Sequence, residues 1–313
     1  MPVINFSVPA KVPLIPWHFP TRFGFTLRGY HSEPSGRPLL HVLHGNGFCS
    51  FMYQPMLEQL SKNYDLFLSD AQGHGDSDHG GPFLGWDTAA ELAAEAFSAH
   101  QHRFTGQPVF GLGHSFGGVL TALIHSQSPS PFQAIILLDP VLFTPAMLTV
   151  MRSLDSVRLY HKNPMAKAAL RRRQHWPDKE AAFTYLNNRG MFKNWHPAAL
   201  AAYIEHALRP SAQGLSLKCQ PEREAEIFGS YSKTLWQRLA KPSPAVHILH
   251  GESSYPFIAK AIAKWRKLNP AVQSSTVPGG HCFMQEQPTT TAKAVAEILA
   301  LYPQHAKKDT ALA

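Results

Sequence analysis

The chain has 313 residues, 44% of them hydrophobic and 16% charged, with a formal net charge of +8 when histidine is counted neutral. That length buries a large core with an insertion, or two domains, and that composition excludes a disordered chain. The basic residues are dispersed apart from RRR at 171–173, so the charge reads as solvated faces, that run included, and not as a nucleic-acid patch. Among the segments taken in chain order, the N-terminal MPVINFSVPAKVPLIPW carries prolines where a signal peptide needs an unbroken apolar helix. No later run reaches the ~20 apolar residues of a membrane span, and the cytoplasm is the expected compartment.

FTLRGYH (25–31) alternates apolar and polar side chains and predicts a strand, and PLLHVLHG (38–45) predicts a buried one ending in glycine. MYQPMLEQLSK (52–62) has helical spacing, DLFLSDAQGHG (65–75) reads as strand then loop, and DTAAELAAEAFSAH (87–100) as a helix with Asp87 at its N-cap. PVFGLGHS supplies the next strand, VLTALIHSQ its helix and QAIILLDP (133–140) another strand. This rhythm predicts the α/β class, a mostly parallel central sheet with helices on both faces.

From Phe143 to Arg238 no buried strand is legible, while AKAALRRRQHW, KEAAFTYLNNRG and PAALAAYIEHAL carry amphipathic helical patterns. The rhythm resumes with PAVHILHGE (244–252), a helix over PFIAKAIAKWRKL, a strand QSSTV (273–277), the loop PGGHCF and a helix from Thr289 to Leu301. The expected division is therefore core over 1–142, a helical insertion over 143–238, and core again over 239–313, with no internal repeat. Cys49, Cys219 and Cys282 lie far apart without ligand-pair spacing, which predicts neither a disulfide framework nor a zinc site.

GLGHSFGG (111–118) places one serine among glycines between a strand and a helix. A strand-to-helix turn that tight forces its central residue into a strained conformation, and side chains beside it would collide with the adjoining elements. Gly113, Gly117 and Gly118 relieve the collision and leave Ser115 at the tip.

Six motifs in order complete the pattern: HGNGF (44–48), DAQGHGDS (70–77), GHSFGG (113–118), LLDP (137–140), HGE (250–252) and GGHCFMQEQP (279–288). In this set the chain resembles the α/β-hydrolase superfamily over nearly its whole length, and the insertion resembles that superfamily's helical cap. The resemblance implies Ser115 as nucleophile and His281 as its general base. The superfamily usually carries its acid in a Gly-x-x-Asp arrangement after the strand matching PAVHILHG, but here that stretch reads GESS and Ser254 stands in the acid's place. Two carboxylates compete for the role: Asp139 in LLDP, placed as in pancreatic-type lipases, is preferred, and Glu252 is the alternative. The oxyanion donors implied are the backbone N–H groups of Phe116, at a helix start without an intrahelical partner, and of Asn46 after His-Gly. His44 and His74 are expected to brace these loops, and Asp76 and Asp78 to form a solvated turn without a metal.

A serine at the elbow, where epoxide hydrolases of the same fold carry aspartate, implies an acyl-enzyme. The expected activity is hydrolysis of a carboxylic ester without a cofactor, the substrate a small hydrophobic or lipid-like ester, with no nucleic-acid partner and no integral membrane segment. Met165, Trp176, Phe183, Tyr185, Met191, Phe192, Trp195 and Tyr203 in the insertion, with Phe143 and Met147, serve either an acyl pocket or ordinary packing. Thioesters, lactones and carbon–carbon bonds yield to the same triad. A non-catalytic ligand receptor is the other class, with Ser254 as its one hint.

Overall fold

The computed structural model describes residues 12–157, 159–241, 243 and 245–303; the N-terminal stretch weighed above as a signal peptide lies outside them up to residue 11. The first half of the core is β1 (Leu14–Pro20), β2 (Thr26–Ser32), β3 (Leu39–Leu43), α1 (Gln54–Leu60), β4 (Asp65–Ser69), α2 (Trp86–His100), β5 (Val109–His114), α3 (Ser115–His125) and β6 (Ala134–Leu138). Every residue of β3, β4, β5 and β6 is buried, as parallel strands covered on both faces require.

The segment after β6 holds α4 (Pro145–Ser156), α5 (Pro164–Leu170), β7 (His175–Trp176), α6 (Lys179–Leu186), α7 (Pro197–Ala207), β8 (Leu208–Ser211), β9 (Gly214–Leu217), α8 (Pro221–Phe228) and α9 (Leu235–Leu239). The core then closes with β10 (Ala245–Gly251), α10 (Pro256–Leu268), β11 (Val272–Val277), α11 (Phe283–Glu286) and α12 (Pro288–Leu299).

Eight strands form the central sheet in the order β1-β2-β4-β3-β5-β6-β10-β11. β1 and β2 run antiparallel at one edge, and every pairing from β4 to β11 is parallel. Period-two alternation divides the apolar residues between two cores. Leu39, Leu43, Phe67, Ile135, Leu137 and Ile248 pack with α2, α3 and α10, while Leu40, Val42, Leu66, Leu68, Ile136 and Leu138 face α1 and α12. Strand order reverses between β3 and β5, which opens a crevice at their carboxyl ends.

Three local expectations are corrected. β1 was not anticipated, because LIPWHFP contains Pro16 and Pro20 and follows Pro13; an edge strand tolerates them. It is anchored by buried Trp17, whose indole N–H donates to the Leu68 carbonyl at 3.1 Å and whose ring stacks on Phe67 at 5.0 Å. Asp87 is not the N-cap of α2. Gly85, at φ 95°, holds that position, and the Asp87 carboxylate instead accepts from Ser232 Oγ at 2.9 Å, Lys233 N at 3.0 Å and the Thr234 hydroxyl. Finally, the segment between β6 and β10 is not purely helical, since β7, β9 and β8 form a small antiparallel sheet.

The RRR run is corrected too. α5 stops at Leu170 and the arginines follow it without forming one face. Arg171 and Arg173 are exposed, while Arg172 turns inward, pairs with Glu224 and donates to Tyr203 Oη at 2.9 Å.

Candidate active site

The β5–α3 turn holds Ser115 at φ 54°, a left-handed conformation that L-residues adopt at a cost of about 1–2 kcal/mol. Close packing enforces it. A Cβ at Gly113 would lie 2.4 Å from the Gly117 carbonyl oxygen, and one at Gly117 would lie 2.4 Å from the carbonyl oxygens of Leu43 and His44. The elbow is thereby pressed against the end of β3. Asp139, just past β6, also has a positive φ of 46°, and strain at non-glycine residues gathers at functional places.

The loop after β11 brings His281 between these two residues. His281 Nε2 lies 2.9 Å from Ser115 Oγ, and His281 Nδ1 lies 2.5 Å from Asp139 Oδ2. Asp139 is fully buried, and its Oδ1 accepts from Gly251 N at 3.0 Å. Ser254 occupies the position where the superfamily usually has aspartate, and its hydroxyl donates to Asp139 Oδ2. The two positions therefore touch: the residue standing in place of the common acid hydrogen-bonds the carboxylate that meets the histidine. Glu252 is exposed and is not among the partners of His281.

Two supports of this loop come from neighbouring residues. Gly280 N donates to Glu286 Oε1 at 3.0 Å, which ties the glycine turn to α11. A second, longer relay was not legible in the sequence. Gly45 N donates to Tyr53 Oη at 3.1 Å, Tyr53 Oη lies 2.7 Å from His114 Nδ1, and His114 Nε2 lies 3.1 Å from the His281 carbonyl oxygen. Burial, reinforced by the neighbouring imidazole of His281, pushes His114 well below the ordinary imidazole range. A neutral His114 fits one tautomer: Nδ1 accepts from the tyrosine and Nε2–H donates to His281. The start of the HGNGF loop and the histidine loop are thus joined through one neutral imidazole.

The HGNGF loop follows β3 beside the elbow. The Asn46 side-chain amide donates to the Glu224 carbonyl of α8 at 3.0 Å, so it is committed to α8 and leaves the backbone N–H as the donor of interest. His74 Nε2 accepts from Gly47 N at 3.1 Å, and His44 Nε2 accepts from Ala71 N at 3.0 Å. Both histidines are buried, and burial lowers both pKa values. Asp76 receives Lys218 Nζ at 2.7 Å and the Tyr30 hydroxyl, and Asp78 accepts from Thr26 N at 2.9 Å. Burial works against the Asp76 charge, but Lys218 and Tyr30 outweigh it and hold its carboxyl below the usual range. The two aspartates join the loop to β2 and to Lys218 after β9, and no group of residues fit to hold a metal occurs among the described residues.

Phe116, next to Ser115, packs against Trp86 at 4.8 Å and Phe83 at 6.1 Å between ring centroids, and Phe143 lies 6.1 Å from Trp86. Beyond His281 opens a cleft of about 490 Å³ lined by Met191, Lys193, Asn194, Ser253, Tyr255 and Glu286. Between β6 and β10, Trp176, Phe183, Phe192, Trp195 and Tyr203 are buried in the core, whereas Met165 and Met191 are exposed. Most of the aromatic stripe is packing.

Residues 40–294 match the model of the alpha/beta hydrolase family. The chain belongs to that family. It is 25% identical over 268 residues to 2-(acetamidomethylene)succinate hydrolase of Mesorhizobium japonicum, a match covering 85% of this chain and 90% of that protein. Over a shorter stretch of 128 residues it is 31% identical to human monoglyceride lipase, covering 39% of this chain and 42% of the lipase. Among solved structures, that of an E-2-(acetamidomethylene)succinate hydrolase superposes with a TM-score of 0.73 at 23% identity, over 92% of this chain and all of the other. A peroxisomal alpha-beta-hydrolase of Saccharomyces cerevisiae superposes at 0.72 and 18% identity, over 97% of this chain and 90% of its own. These two likenesses show the fold of this alpha/beta hydrolase. No helix among its described residues is long and apolar enough to cross a membrane.

Proposed function

We propose that this alpha/beta hydrolase cleaves a small carboxylic ester through an acyl-enzyme formed on Ser115. The observation that carries the reading is the unbroken line from Ser115 Oγ through His281 to the buried Asp139 carboxylate. Asp139 orients the imidazole so that Nε2 faces the serine with a free lone pair. As Ser115 Oγ attacks the carbonyl carbon, its proton passes to Nε2 and the carbonyl π electrons move onto oxygen. The backbone N–H groups of Phe116 and Asn46 would hold that oxyanion. Collapse of the adduct expels the alkoxide, which takes the proton back from His281. Water then repeats the sequence on the acyl-enzyme and releases the acid. In this reading Asp139 serves as the acid and Glu252 does not, and residues 143–238 act as a cap over the crevice.

The rings of Phe83, Trp86 and Phe143 packed about Phe116 make the surroundings of the elbow apolar, which agrees with a hydrophobic portion of substrate next to the carbonyl. Fluorophosphonate labelling tests the chemistry, because the reagent captures an activated serine. The native protein is expected to label at Ser115, and Ser115→Ala is expected to lose both labelling and ester turnover while keeping its circular dichroism spectrum. Labelling at another serine would overturn the assignment.

A further inference from the structure

A second concavity, of about 260 Å³, lies between α5, α6 and α8. Four arginines line it, Arg171, Arg172, Arg173 and Arg189, against a single acidic residue, Glu224. That carboxylate is spent on Arg172. Arg171, Arg173 and Arg189 have no carboxylate within ion-pair distance among the described residues. Two of them are held in place by one aromatic ring, the guanidinium carbons of Arg173 and Arg189 lying 4.8 Å and 4.4 Å from the Tyr185 ring centre. The floor is apolar, from Leu186, Phe192 and Phe228. Like charges around a low-dielectric floor repel one another, and planar, partly ordered guanidinium forks match a carboxylate in two-point contact.

The concavity adjoins the candidate active site at two places. Gly190 and Met191 form a wall common to it and to the cleft beyond His281. Glu224, its one acid, holds the Asn46 amide through its backbone carbonyl and abuts the HGNGF loop so closely that a Cβ at Gly47 would lie 2.9 Å from its carboxyl carbon. Asn188 and Gly190, at φ 55° and 56°, bracket Arg189 in the loop that forms the shared wall.

We propose that this arginine-lined concavity receives an anionic group of the substrate, a carboxylate in the first instance, so that the ester cleaved at Ser115 is an acid-bearing one and not a neutral lipid. The proposal rests on the hydrolase reading above. Recognition of one charged group by two forks is worth about tenfold to a hundredfold in kcat/KM, the scale of a charge-assisted hydrogen bond.

The test compares p-nitrophenyl hexanoate with the p-nitrophenyl monoester of adipic acid, which has the same chain length and a terminal carboxylate. The native protein is expected to favour the adipate ester. Arg173→Gln/Arg189→Gln, both at exposed positions, is expected to lose about tenfold or more on that ester and to keep its rate on hexanoate. Arg266→Gln, exposed on α10, controls for the overall positive charge. Free adipate is expected to inhibit competitively, and by calorimetry to bind the Ser115→Ala protein but not that protein with both arginines replaced. An unchanged adipate-to-hexanoate ratio in the double variant, or an equal loss in Arg266→Gln, overturns the proposal. Binding of adipate without competition would make the concavity a separate anion site and overturn its role in substrate recognition. Failure of the hydrolase reading looks different: neither ester turns over and Ser115 does not label, while calorimetry still decides the concavity.

Discussion

Replacing Asp139 by asparagine tests the proposed triad most sharply, because the hydrogen bonds around that side chain dictate which way the amide must point. Gly251 N–H donates to Oδ1 at 3.0 Å and is a fixed backbone donor, so the oxygen of the introduced amide must occupy that side. The NH₂ group then faces His281 Nδ1 and the Ser254 hydroxyl, which can turn to accept. An NH₂ donor at Nδ1 requires that nitrogen to be unprotonated, so the imidazole proton moves to Nε2 and points at Ser115. A histidine that donates to the serine cannot take its proton. The loss expected is about 10⁴ in turnover, or about 5.5 kcal/mol of barrier, near neutral pH. Turnover of p-nitrophenyl hexanoate measures it, circular dichroism reports the fold, and nitrogen NMR of the imidazole reads the tautomer directly. Glu252→Gln is expected to stay within about twofold, as an exposed substitution does. Asp139→Asn/Ser254→Asp is expected to recover part of the loss, since Ser254 already reaches the oxygen that meets His281. An Asp139→Asn enzyme of near-normal rate beside an inactive Glu252→Gln one would refute the reasoning.

Other outcomes follow from the same structure. Gly117→Ala places a methyl 2.4 Å from two carbonyl oxygens at the end of β3, so it is expected to displace the HGNGF loop and cut turnover far more than ordinary binding contacts would, which kinetics at saturating ester would show. Trp195→Ala removes a ring packed against Phe48, Phe192 and Tyr203 at 5.8, 4.8 and 6.1 Å; a loss of about 3–5 kcal/mol in urea denaturation is expected, and a stability change under 1 kcal/mol would return Trp195 to a substrate-lining role. Burial lowers His41 to about 3 and also lowers His44, His74 and His114, all buried neutral. The unfolded chain therefore binds more protons below pH ~6.5, and the stability these residues contribute is full above that pH and lost as pH falls, by up to about 1.4 kcal/mol per unit for each. The urea midpoint is expected to drop steadily from pH 7 to 5, and a flat profile would contradict the neutral burial of these rings.

The sequence by itself determined most of the central sheet and the turns that local chain geometry controls. Apolar runs at 39–43, 65–69, 109–114 and 134–138 are strands buried on both faces, and such burial leaves few residue types open. Ser115 was legible because an elbow needs glycine at fixed neighbouring positions, a demand written within a few residues. Tertiary structure decided everything that depends on a distant partner. Asp87 has the local signature of a cap, yet three donors at 232–234 claim it. β7, β8 and β9, two to four residues long, are too short for alternation to show. Arg172 sits between two exposed arginines and differs from them only because Glu224 and Tyr203 fold against it. Asp139 was preferred over Glu252 only through the resemblance to pancreatic-type lipases, since nothing local tells the two carboxylates apart; in the fold β6, β10 and the loop after β11 end at one edge of the sheet, where parallel neighbours deliver their carboxyl ends whatever their separation in the chain, and there buried Asp139 meets His281 while Glu252 stays exposed.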